Sequence, residues 1–311
     1  MSVRARVAAA LARLPFASSE VGADRFRLVL ARDGAIDVRI ADEDRWVELD
    51  ASVPHDPSRV ESAPDLLERG ARLAGLARIV LFGGADLPRM RADLPLDLDD
   101  AALAPLLRAT VMGLASAQVI VGTSPSSLEA CANGHDGPAP ACRVDDLERF
   151  CADAGFAVPT RRETLLAVDL GLDDVAARAR VACEPRGVRA WVEVDALRSA
   201  PSPLCARALA TFLLAASAGV RMVRPFATHA AAVAGFEARL GPAPCARLVA
   251  HALEALRVAA QLAAREAAVL ARDPEIATTF LALREDQPAR DVAPRSVNHN
   301  ARASGPGGEQ P

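Results

Sequence analysis

The hexamers Trp46-Val47-Glu48-Leu49-Asp50-Ala51 and Trp191-Val192-Glu193-Val194-Asp195-Ala196 differ at one position and contain the only two tryptophans of the chain. Their separation is 145 (191 minus 46), and about the same offset recurs on both sides of them. Leu66 to Phe82 aligns with Leu209 to Pro225, Arg89 to Pro95 with Gly235 to Gly241, and Ala102 to Val121 with Cys245 to Ala264. A shared period of this kind is how a duplicated unit shows itself.

Helix and strand periods give each copy the same series: helix, three strands, helix, two strands, helix. The expected fold is therefore α+β, with two tandem αβββαββα domains, each an antiparallel sheet with helices on one face. The first domain spans 1–121 and the second 144–283. Residues 122–143 are rich in Gly, Pro and Ser and read as a flexible linker. Residues 284–311 are polar and read as a disordered tail. Asp33-Gly34 reads as a hairpin turn. Asp273-Pro274 reads as an N-cap and first helical residue that restart a short last helix.

A length of 311 residues suits two cores better than one. No apolar run approaches the roughly 18 residues needed to span a bilayer, and no secretory signal pattern follows the arginine-bearing first helix, so a cytoplasmic location is expected. Every basic residue is arginine, and lysine and tyrosine are absent, as a GC-rich bacterial genome would produce. The net charge of −4 has its signs mixed along the chain, without the basic stripe that tracks nucleic acid.

These elements and phrases resemble the type III secretion chaperone-like fold, which includes Tir-chaperone and YbjN-like domains. The carriers are Arg91-Ala-Asp-Leu-Pro-Leu-Asp97 before an acid-capped helix, the passage from Phe212-Leu213-Leu214 to Arg221 and Arg224, and the long final helix. The resemblance implies a protein-binding module that is no enzyme and needs no cofactor. It would hold a segment of a secreted or secretion-apparatus protein on apolar sheet and helix surfaces. It also implies pairing of protomers, met here by a pseudo-dimer within the chain or by a homodimer.

The candidate partner-binding residues are Trp46, Trp191, Phe212, Arg221 and Arg224. For the tryptophans the strand period favours core anchors at equivalent positions, and Arg221 and Arg224, like Arg161 and Arg162, read as solvated strand or loop ends because exposed arginines are ordinary. Asp97, Asp99 and Asp100 read as helix caps. Cys131, His135, Cys142 and Cys151 match no compact zinc spacing, and no metal is expected. The six cysteines read as reduced thiols, mostly buried. No nucleophile elbow and no phosphate loop is present, so no catalytic residue is named. The alternative is a small-molecule or enzymatic site in the cleft between the two units.

Overall fold

A computed structural model describes residues 2–30, 34–41, 43, 45–53, 62–73, 75–81, 88–119, 142–172, 177–184, 187–194, 202–228, 233–241 and 244–285. The first unit runs α1 (Val3–Leu11), β1 (Ala17–Gly22), β2 (Arg25–Val29), β3 (Ala35–Ala41), β4 (Trp46–Ser52), α2 (Ala63–Ala71), β5 (Arg78–Leu81), β6 (Pro88–Pro95) and α3 (Asp100–Val119). The second repeats it as α4 (Val144–Asp153), β7 (Thr160–Arg161), β8 (Leu165–Asp169), β9 (Arg178–Glu184), β10 (Gly187–Val194), α5 (Pro203–Gly219), β11 (Arg224–Thr228), β12 (Val233–Arg239) and α6 (Ala246–Arg272). A last helix, α7 (Pro274–Glu285), follows.

Each unit forms a six-stranded antiparallel sheet, in the orders β1-β2-β3-β4-β6-β5 and β7-β8-β9-β10-β12-β11. The two orders are the same once the repeat is allowed for. Each unit also has one strand more than the series read from the sequence, β1 and β7. Neither carries an alternating apolar pattern: all six residues of β1 are exposed, and β7 is two residues long.

Period-two burial divides each sheet into a core face and an outer face. Phe26 and Leu28, Ile36 and Val38, Val47 and Leu49, and Met90, Ala92 and Leu94 are buried against α1 and α3. In the second unit Leu166 and Val168, Val188, Ala190 and Val192, and Phe236 play that part beneath α4 and α6. Alternation sends Trp46, Glu48, Asp50, Arg91 and Asp93 to the outer face of the first sheet. It sends Arg189, Trp191, Glu193 and Glu237 to that of the second.

Two expectations are corrected here. The tryptophans are not core anchors; both are half-buried on the outer faces, because Val47 and Val192 beside them take the core positions. Nor are they equivalent. Trp46 stands at the mouth of the β3–β4 hairpin, opposite Ala41 and Pro95, whereas Trp191 lies in mid-strand opposite Arg180 and Glu237. The hexamers thus match in letters but not in register.

Helix ends follow local chemistry. Ser62 and Asp65 form a capping box on α2. Asp273 Oδ1 accepts from the backbone of Glu275 and Ile276 and starts α7. Of the three expected caps before α3, only Asp99 acts as one, accepting from Ala102 N at 2.8 Å. Asp97 and Asp100 instead receive side chains from other elements, described below. Asp33, most of 122–143 and nearly all of the tail lie outside the described residues.

The units pack by exchanging helices. α2 lies chiefly on β11 of the second sheet, and α5 chiefly on β5 of the first, so β5 and β11 are covered by the other unit. No described helix is long and apolar enough to cross a membrane.

Candidate functional site

The exchange of helices brings charge into the interior. Arg78 opens β5 on the outer face and is fully buried beneath α5, as is Asp93 on the neighbouring strand. The two form an ion pair, and Arg78 Nε donates to Ser217 O at 3.1 Å. Ser217 lies in the last turn of α5, where carbonyls lack helical partners and the dipole favours a cation. The second unit answers in kind. Arg224, which opens β11, pairs with Glu237 at 2.7 Å and donates to Leu73 O just beyond α2. Each unit's leading arginine therefore caps the other unit's helix.

Both pairs are embedded in more charge. Glu48 accepts from Arg91 at 3.0 Å and Arg221 at 3.2 Å, and also from Arg39. Glu237 accepts from Arg189 at 2.6 Å and lies 3.2 Å from Arg239. Burial pushes the Asp93 and Glu237 carboxyls up, but the surrounding guanidinium groups outweigh it and hold both below the ordinary range. Burial pulls Arg78 down, and it lowers Arg224 to about 10. Removing one partner of such a pair leaves an uncompensated buried charge, so the network specifies how the units dock more than how strongly they do.

A second contact lies beside it. Arg221 stacks on the Trp46 ring at 4.7 Å, and His251 of α6 meets that ring edge-on at 5.4 Å. His251 Nε2 and Arg247 both reach Asp97, at 3.0 and 3.3 Å. Asp100 is taken by Arg6 of α1 at 2.6 Å. An open depression of about 600 Å³ lies between the units here, lined by Arg6, Asp97, Asp99, Asp100, Cys245 and Arg247. Most of its charged groups are committed to one another.

Among the expected partner-binding residues, Trp46, Arg221 and Arg224 thus meet at the contact between the units. Phe212 is buried in α5 and meets Phe280 of α7 at 6.4 Å. Trp191 stacks with Arg189 at 4.7 Å, and Arg189 also covers Phe226. The reading of Arg221 and Arg224 as solvated strand or loop ends is overturned: Arg224 is buried against the end of α2, and Arg221 is half-buried against Glu48 and Trp46 of β4. Arg161, by contrast, is exposed and tied to Asp145 and Glu148.

What sequence reasoning missed is the difference between the two sheet ends. In the described structure β1 has a neighbour only in β2, and β7 only in β8. The β7 end is blunted: the strand is two residues long and its Arg161 is pinned by two acids of α4, devices that discourage further pairing. The β1 end is six exposed residues, Ala-Ser-Ser-Glu-Val-Gly, without proline, and its one charged residue, Glu20, pairs with Arg4 of α1. The signal was present only as a short run of serines between helix and strand. An exposed apolar row also occurs on the last two helices, Leu262 and Val269 on α6 and Ile276 and Leu283 on α7.

Five cysteines are described, all as free thiols; Cys151 and Cys205 are buried and Cys142, Cys183 and Cys245 half-buried. Cys131 and His135 lie outside the described residues. Among the described residues no group of three or more acidic, histidine or cysteine side chains is placed to hold a metal ion. No protein-family model matches this chain, and no curated protein and no solved structure matches it.

Proposed function

We propose that this chain is a protein-binding module that takes up an extended segment of a partner protein as an added strand on β1. One observation carries the reading: β1 is a six-residue edge strand, exposed throughout, on a sheet whose opposite edge is covered by the second unit. Strand addition draws its affinity from main-chain hydrogen bonds, which an open edge supplies in a row. Natural edges are usually shortened or charged; β7 is cut to two residues at the equivalent place, whereas β1 keeps six.

The resemblance to type III secretion chaperone-like domains supports the same reading. In that view the duplication is a pseudo-dimer in one chain, the work is done in the cytoplasm, and the partner is a secreted or secretion-apparatus protein. No cofactor, nucleic acid or catalysis enters this reading. The depression near Asp97 is the place for the alternative small-molecule site, but most of its charged groups already neutralise each other.

The test is site-specific photo-crosslinking in cells with a benzophenone side chain in place of Ser19 on β1, or of Thr278 on exposed α7 as control. A defined polypeptide adduct at position 19 that is absent at 278 is expected. Equal labelling at the two positions, or none at 19, would sink the proposal.

A further inference from the structure

The outer face beside β1 points to the chemistry of the added strand, an inference that rests on the edge reading just given. The pairing register places Gly22, Arg25, Arg39, Glu48 and Asp93 in one row across five strands. Within it the Arg39 charge is met by Glu48. In the next row Arg27 is met by Asp37 at 2.8 Å. Arg25 is exposed, and its guanidinium makes no hydrogen bond or ion pair among the described residues. Its cross-strand neighbour on one side is another arginine, a destabilising arrangement unless an anion relieves it, and on the other side is glycine.

That glycine matters. Alternation gives β1 an outer face of Ala17, Ser19 and Gly22, opposite Val29, Arg27 and Arg25 of β2. The face is a low ledge of small side chains. A Cβ at Gly22 would meet nothing closer than the Cβ of Arg25, at 3.8 Å. A strand added to β1 lies two strand spacings from β2, about 9.6 Å, a gap that a glutamate and an arginine side chain close together when no side chain stands between them. At the other end of the ledge Val29 is 51 % exposed beyond Ala17, so an apolar side chain fits there.

We propose that the segment received on β1 is acidic on its outer face, with a glutamate beside Gly22 that reaches Arg25 and an apolar residue beside Ala17 that covers Val29. Charge complementarity selects this occupant over a second copy's β1, whose outer face is Ala, Ser and Gly, and over segment 286–311 of the chain itself, whose three arginines and three acids give it no acidic excess to meet Arg25.

The experiment is selection from a phage-displayed random peptide library on the full-length protein, repeated on Arg25→Glu and on the pair Ser18→Pro and Ser19→Pro. Adjacent backbone N–H groups of a strand point to opposite sides, so one proline of the pair removes an outward donor and leaves the β2 pairing intact. Circular dichroism shows which variant is folded. Enriched peptides should share a glutamate on one face and an apolar residue further along it. The outward proline should abolish their binding, and Arg25→Glu should weaken it by roughly fivefold or more while selecting lysine or arginine in place of glutamate.

Peptides that need the open edge but show no acid preference would overturn the acidic segment and leave the edge reading standing. Peptides indifferent to both prolines, or a library that yields none, would overturn both. Peptides that bind only after residues 286–311 are removed would assign the edge to the chain's own tail, and dimerisation that competes with them would assign it to a second copy.

Discussion

The two units share an element order and a strand order, yet they finish their sheets differently. At the inner ends β5 and β11 are treated alike, each opened by an arginine that pairs with a buried acid and caps the other unit's helix. At the outer ends one strand is six residues long and the other two, each exposed and each with one charged side chain tied to the helix before it. Duplication supplied two copies of one solution for joining the units. The ends that do not join differ in length.

The largest expected effects test the likeness of the inner ends. Asp93→Ala and Glu237→Ala each strand a buried guanidinium, and each should cost about 3–5 kcal/mol in urea unfolding. If one costs much less than the other, the two clusters are not counterparts. Gly235→Ala should cost about 2–3 kcal/mol, because its Cβ would lie 2.0 Å from Val192 O. Gly187→Ala belongs with it, with φ +140° and a Cβ 2.5 Å from the Gly241 backbone. Gly22→Ala on β1 should stay within about 0.5 kcal/mol of the parent, since its Cβ makes only ordinary contact.

Acid sharpens the comparison. Asp93 and Glu237 are both held below the ordinary carboxylate range, so the stability each adds is fully present above that range. It is lost as pH falls through the lowered values. Asp50, on the first sheet only, is raised by burial despite Arg89 and has the opposite sign. Between about pH 5 and pH 3, Asp93→Asn should flatten the fall in stability seen by urea unfolding, and Asp50→Asn should steepen it. The smallest effects concern single members of larger charge clusters. Arg221→Met loses a half-buried ion pair and the stack on Trp46 and should cost about 1 kcal/mol. Arg161→Ala at the blunted end should leave the unfolding midpoint where it is.

The duplication was visible in the tryptophan hexamers, although they turn out to sit at different registers. The offset of whole elements was the sounder signal, because topology tolerates slippage that residue matches do not. The helix caps show the same limit. Asp273 behaves as its local sequence says, whereas Asp97 and Asp100 are claimed by Arg247, His251 and Arg6, residues from other elements. Of the candidate site residues, Arg221 was read as a strand end but precedes β11, Trp191 was misread within its own sheet, and the surroundings of Trp46, Arg221 and Arg224 were misread where the other unit supplied them.

By itself the sequence determined most of the elements and their order, since these depend on periodicity over a few residues and on capping chemistry within one turn; it missed β1 and β7 and put the tryptophans on the wrong side of β4 and β10. Only the tertiary structure decided what covers the outer faces. Arg78 and Ser217 are 139 positions apart, and no local pattern marks one as the other's partner. The same holds for β1: an edge is a property of the sheet, defined by the neighbour a strand lacks once all the others have paired.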